Sequence, residues 1–427
     1  MKNLEIAKKY HDYMVSCRRY LHENPELSGQ EYNTVKFIDE ELTKMGVEHI
    51  VVENGGVLGF IKGPKPGRTV LLRADCDALP IDEKDNLKNC RVVWSKNPGV
   101  MHACGHDSHT AGLLGAAKVL LEKQSEIEGT VILCFERGEE GGGNVRYIFA
   151  YMEKHGIKPD SCFGLHVGCN QPTGKIAVND TRVNAGAMFF QITLEGRGGH
   201  GSRPDRSINP ISCFVDIYQR MQGLRLNYVD PYQTCSYSLG MLNSGHAANI
   251  IPQTLTFAGT MRTYDPETAG MKFYTEFKET VEAMAKLHGC KVTYDKFPVP
   301  GLATVNEPAY AAFARSVLAE EFGTENVVQQ EPSMGSESYS QYLKQWPGVF
   351  AGLGVGNPEK GTGASGHNER YDIDEDGMVY GAAAHATYAI EYLKLKEVPS
   401  YGPKYDYKQV LTQRGEEHLI PVLYGEN

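Results

Sequence analysis

Short apolar runs that stop at polar residues and glycine punctuate the chain. Thr69–Arg73 is one, followed by Asp75 and Asp77 in "TVLLRADCDALP". Val131–Phe135 is a second, followed by Glu139, Glu140 and three glycines in "TVILCFERGEEGGG". "SCFGLHVG" runs apolar into His166, and "GVFAGLGVG" supplies a fourth run at Val349–Leu353. Helical stretches, Ser108–Lys123 and Asn144–His155 among them, lie between these runs. Continuous apolar strands alternating with helices predict an α/β fold whose mostly parallel sheet is covered on both faces. Ligands of such sheets gather at the carboxyl ends of the strands, which is where the polar residues just named fall.

From about residue 184 to 297 the pattern changes. A strand (Ala187–Glu195), a helix (Pro210–Leu224) and two strands near Gln233–Leu242 and Thr254–Tyr264 are expected, the two strands joined by "NSGHAANIIPQ". A long helix (Pro266–His288) and a strand (Cys290–Phe297) follow. That β-α-β-β-α-β order is the ferredoxin-like split unit. The α/β pattern then resumes with a helix at Glu307–Phe322, the Val349 strand and a helix at Gly377–Lys394. The expected organisation is a discontinuous catalytic domain, residues 1–183 and 298–427. A ferredoxin-like α+β unit, residues 184–297, is inserted into it as a lid or dimerisation domain. Residues 398–427 read as an irregular tail.

Composition narrows this picture. A chain of 427 residues exceeds one compact core, in keeping with two units. Apolar residues at 41% and charged residues at 22% are ordinary for a soluble protein. A net charge of −10 with no basic stretch argues against a nucleic-acid partner. The first residues mix charges at helical spacing without an apolar export core, and no segment is long enough for a bilayer, so no membrane association is expected. Ten cysteines are scattered without a pairing pattern. Reduced thiols and a cytoplasmic location are therefore expected. Cys134 and Cys162 fall inside apolar strands as small core residues, but Cys104 sits among histidines.

That cysteine belongs to "MHACGHDSHTAGLLGAA", residues 101–117. One reading is a polar loop leading into a buried helix, with Asp107 or Ser108 as its cap. The other is half of a metal site, because the thiolate of Cys104 and the imidazole of His106 suit zinc and related ions. His102 and His109 read as structural or as support behind such ligands. In "GEEGGG" two adjacent carboxylates repel each other, so an enclosed pair calls for a cation. Glu140 would bind it while Glu139 stays free as a base; an acidic helix start is the alternative. His166 closes an apolar strand and His367 lies in the glycine-rich "GASGHNERYDID"; neither is diagnostic alone. "GRGGHG", residues 196–201, fits a dinucleotide fingerprint, but no helix opens directly after it, which speaks against nicotinamide binding. His200 at its tip, Asn249 and Arg262 read as polar groups at the edge of the smaller unit.

Taken together, these segments resemble the dinuclear metallohydrolase family of aminoacylases and metal-dependent carboxypeptidases. The branch they look most like contains hippurate hydrolases, N-acyl-amino-acid amidohydrolases and plant auxin-conjugate hydrolases. The similarity runs from "RRYLHENPELSGQE" at Arg18 to about Gly381. It takes in "LRADCDALPI", "GLHVG", "GRGGHGSRP", "NIIPQTLTFAGTMR", "SESYSQY" and "SGHNERYDIDEDG" as well as the two motifs above. The resemblance implies five metal ligands, Cys104, His106, Glu140, His166 and His367, holding two divalent ions per subunit: zinc or manganese, with cobalt or nickel as alternatives. It implies Glu139 as general base and Asp77 as the carboxylate that orients the site. It implies His200 and Asn249 as groups reaching in from the small domain, within the subunit or from a second copy, and Arg262 as the holder of the substrate carboxylate. The implied reaction is hydrolysis of the amide bond of an N-acyl amino acid. The rivals are a carboxypeptidase or dipeptidase acting on short peptides, and a non-catalytic metal-binding or redox-sensing protein. The family usually has proline then alanine before the glutamate pair; Arg137-Gly138 stands there instead, and is expected to alter the pocket wall. A homodimer or higher homo-oligomer through the inserted unit is the expected assembly.

Overall fold

In a computed structural model that describes residues 1–141 and 143–425, the expected apolar runs lie side by side in one sheet. Gly142, the middle glycine of "GEEGGG", and the last two residues of the tail lie outside the described residues. The central strands, in order, are Glu128–Glu136, Lys65–Asp75, Ser161–Pro172 and Gly348–Gly356, all parallel. Antiparallel strands Glu48–Val52 and Gly56–Lys62 extend one edge, and the short pair Ile176–Ala177 and Val327–Val328 the other, completing eight strands.

Alternation along these strands explains why they read as unbroken apolar runs. Val70, Leu72, Val131, Leu133, Phe163, Leu165, Val349 and Ala351 face one layer, with helices His11–Glu23, His106–Glu122, Pro308–Phe322 and Met378–Leu393. Leu71, Ile132, Cys134, Cys162 and Phe350 face the other, against helices Val145–Lys154 and Ser340–Gln345. The tail differs from the expectation of an irregular segment. It forms a helix at Tyr407–Gln413, started by an Asp406–Gln409 capping box, and Tyr407, Val410 and Leu411 complete the second layer. The preceding proline and glycine residues mask this helix in the pattern.

Between Gly186 and Lys296 lies a second sheet, ordered Cys235–Ser244, Thr254–Thr263, Gly186–Glu195, Lys291–Lys296 and antiparallel throughout. Helices Pro210–Tyr228 and Met271–His288 cover one face, packing on Met188, Phe190, Ile192 and Leu194. The element order is the β-α-β-β-α-β expected. The chain is thus mixed α/β with a large, mostly parallel sheet. Among the described residues, no helix is long and apolar enough to cross a membrane.

Candidate metal centre

The carboxyl ends of the central strands meet at one cavity of about 890 Å3. Cys104, Glu139, Glu140, His166, His367 and Arg262 line it. His106 and Asp77 are buried immediately behind that wall.

Each element delivers its side chain for a local reason. Gly105, between Cys104 and His106, has φ +83°, and a Cβ there would lie 2.4 Å from Val167 Cγ2. Only glycine lets the chain turn that tightly into the His106–Glu122 helix. The residue at the N-cap position is Gly105, which makes no side-chain cap, while Asp107 Oδ1 accepts the Ser108 N–H in the first turn at 2.9 Å. The other Asp107 oxygen, Oδ2, accepts from Arg18 Nε at 2.8 Å and pairs with His22 Nδ1 at 2.7 Å. His367 is a non-glycine residue in the left-handed region, φ +64°, a conformation that costs about 1–2 kcal/mol. The His367 N–H donates to Ala103 O at 2.8 Å, which ties this loop to the Cys104 turn.

Hydrogen bonding decides which histidines have a nitrogen to spare. His106 Nδ1 donates to Asp77 Oδ1 at 2.9 Å, leaving Nε2 facing the cluster. His166 Nδ1 donates to Val167 O at 2.7 Å, and its Nε2 lies 3.3 Å from Cys104 Sγ. His109 is different. Its Nε2 accepts from the Val167 N–H at 2.9 Å and its Nδ1 donates to Asp75 at 2.5 Å, so no lone pair remains. His102 is buried with neither ring nitrogen hydrogen-bonded, and burial lowers its pKa to about 4. Cys104, His106 and His166 bring one donor atom each within 4.8 Å of one another. So do Cys104, Glu140 and His367, and the two groups share the cysteine.

The electrostatics ask for cations. The buried Arg73 pairs with Asp75 Oδ2 at 2.8 Å, Glu136 Oε2 at 2.7 Å and Glu337 Oε1 at 3.1 Å, and the Glu139 and Glu140 carboxylates line the cavity with Glu337. Burial pushes the Cys104 thiol far above its ordinary range, so a thiolate here needs a positive neighbour. Glu140 Oε1 is buried without a hydrogen bond, 3.1 Å from His367 Nε2 and 3.9 Å from His106 Nε2. That orphaned oxygen and the N, O and S donors around it fit a pair of divalent ions. Burial, then the Glu337 carboxylate, raises Glu139 well above the usual carboxyl range. Glu139 Oε1 accepts the Ser338 N–H at 2.8 Å, and Ser338 is fixed by Arg73 and Glu136. Arg73, Asp75, Glu337 and Ser338 carried no expected role; an arginine inside the apolar run "VLLRAD" was the available signal.

The remaining residues divide. Arg262, from the second sheet, reaches the cavity, lying over Phe189 with Nη1 3.5 Å from Ser336 Oγ. His200 and Asn249 do not line it. They sit together at an exposed two-stranded sheet, Gly199–His200 against Ile250–Ile251, where His200 pairs with Ile250, and His200 Nδ1 is 2.8 Å from Ser202 Oγ. Arg137 also departs from expectation. It points away from the pocket, its Nε 2.8 Å from Glu31 Oε2, because a buried guanidinium needs a carboxylate partner.

Residues 71–391 match the family model described as Peptidase family M20/M25/M40. Thermostable carboxypeptidase 2 of Saccharolobus solfataricus is 36% identical over 397 residues, covering 90% of this chain and 97% of that one. IAA-amino acid hydrolase ILR1-like 4 of Arabidopsis thaliana is 36% identical over 405 residues, covering 92% and 89%. A Bacillus subtilis protein, described as a dinuclear metal binding peptidase from the M20 family, superposes with a TM-score of 0.75 at 29% identity, covering 91% and 99%.

Proposed function

The chain belongs to Peptidase family M20/M25/M40, and on that premise we propose that it hydrolyses the amide bond of N-acyl amino acids. It is an enzyme, a dinuclear metal-dependent amidohydrolase or peptidase. The observation that carries the finer reading is the sharing of Cys104 by two donor groups, with Glu139 in the same cavity.

Cys104, His106 and His166 would hold one divalent ion, and Cys104, Glu140 and His367 the other; zinc or manganese suits this donor set, with cobalt or nickel as alternatives. Bound there, the pair supplies Lewis-acid activation of the attacking water and of the scissile carbonyl. Glu139 takes the water's proton on the oxygen that Ser338 does not engage, then hands it to the departing amine. Asp77 orients this apparatus, accepting from His106 with one oxygen and from the Glu140 N–H, at 2.8 Å, with the other. Arg262 holds the carboxylate of the amino-acid half. His200 and Asn249 stabilise the developing oxyanion once residues 184–297 close over the cleft or a second copy presents them. Exposed Leu242 and Ile250 leave apolar surface on that unit for a second copy. The discontinuous remainder, residues 1–183 and 298–427, carries the metal ligands. All ten cysteines are free thiols, which suits the cytoplasm.

A hydrolysis panel of N-acetyl and N-benzoyl amino acids against dipeptides, with zinc, manganese, cobalt or nickel added, tests this. Faster turnover of N-acyl amino acids supports the reading; faster turnover of dipeptides replaces it with the peptidase. Glu139→Gln should lower kcat about 10³-fold while two ions per chain remain bound. Near-normal turnover would refute Glu139 as the base.

A further inference from the structure

The cavity that His166 lines carries four carboxamides, set among apolar side chains such as Val167, Phe350 and Leu353. They are Asn170, Gln171, Asn184 and Gln330. Two glycines set their places. Gly352 is the register partner of His166 on the neighbouring strand, and a Cβ on it would lie 2.9 Å from Gln330 Nε2. A Cβ on Gly168, two residues beyond His166 on the same strand, would lie 2.7 Å from Asn170 Oδ1. Both carboxamides therefore fold over a floor without side chains, next to the imidazole at the cluster. Among the described residues, none of the four carboxamide side chains makes a hydrogen bond; Gln330 is anchored by its backbone N–H, which donates to Asn179 Oδ1 at 2.9 Å.

A carboxamide offers two donors and one acceptor. An alkyl or aryl group pressed against this wall would strip its water and return no hydrogen bonds. An anion gains no cation here, and the Glu331 carboxylate lines the cavity beside Gln330. A neutral group that both donates and accepts satisfies the wall.

We propose that this wall is the subsite for the acyl half of the substrate, and that the acyl chain ends in an uncharged carboxamide or hydroxyl. The inference rests on the N-acyl amino acid reading, in which Arg262 takes the carboxylate of the other half.

Three isosteric substrates test it on the metal-loaded enzyme: N-succinamoyl-, N-succinyl- and N-(4-methylpentanoyl)-alanine. The succinamoyl compound should exceed each of the others at least ten-fold in kcat/KM. Gln330→Leu and Asn170→Leu, checked for native Tm, should each shrink that ratio several-fold. A ratio of one or below, or a ratio that neither substitution moves, overturns the subsite. Thermal shift with succinamate and 4-methylpentanoate gives a readout free of turnover. If no N-acyl amino acid is hydrolysed, greater stabilisation by succinamate that Gln330→Leu abolishes keeps the subsite while the hydrolase reading fails. Equal stabilisation by the two acids then overturns the subsite as well.

Discussion

The two sheets treat their polar side chains in opposite ways. At the carboxyl end of the eight-stranded sheet, Arg73, Asp75, Asp77, His106 and Asp107 are buried and held by named partners. On the smaller unit, His200 is exposed with Ser202 for a neighbour, and Arg262 touches the opposite wall through one long contact. A buried polar group is costly unless paired, so the first set is fixed before any ligand arrives. The second set is free of such constraint, as the proposed approach to the substrate requires. Stability should therefore depend on the first set, and turnover without stability on the second.

Arg73→Leu breaks that comparison most severely. It leaves Asp75, Glu136 and Glu337 buried without their guanidinium, and urea titration should show a loss of about 3–5 kcal/mol. His200→Ala should leave Tm where it was and lower kcat/KM about 10²-fold, the size expected for one oxyanion donor. A large fall in Tm with the His200 variant would show that the two-stranded sheet is structural after all.

Asp107 sharpens the same contrast through pH. Burial pushes its carboxyl up, but Arg18 and His22 outweigh this and hold it far below the usual range. A depressed folded pKa adds stability above the unfolded value of about 3.9, and that stability is lost as pH falls below it. Asp107→Asn should therefore cost about 1.5–3 kcal/mol near neutrality, with the gap to wild type narrowing below about pH 4. A gap that stays constant down to pH 3 would remove the ion pair from the account.

What could be read in advance follows the same division. Strands buried on both faces show as unbroken apolar runs, so the central sheet and the polar residues at its ends were legible. The ferredoxin-like order was legible because its strands, such as Gly186–Glu195, alternate buried and open positions. Spatial pairing was not legible. Nothing in "RRYLHENPEL" says that Arg18 and His22 grip Asp107, and nothing local to Arg137 says that Glu31 draws it from the pocket. The carboxamide wall was hidden for the same reason: Asn170 lies on the Ser161–Pro172 strand and Gln330 follows Val327–Val328, with two strands between them in the sheet. The spare nitrogens of His106 and His166, against the fully engaged His109, also became visible only through partners distant in sequence.

In the proposed centre Cys104 serves two metal positions at once. Metal content by atomic emission on the purified chain, alongside Cys104→Ala, His166→Ala and His367→Ala, tests it most directly. Two ions are expected per wild-type chain, about one tightly held in each histidine variant, and weakened binding at both positions in Cys104→Ala. Two tightly held ions in Cys104→Ala would contradict it.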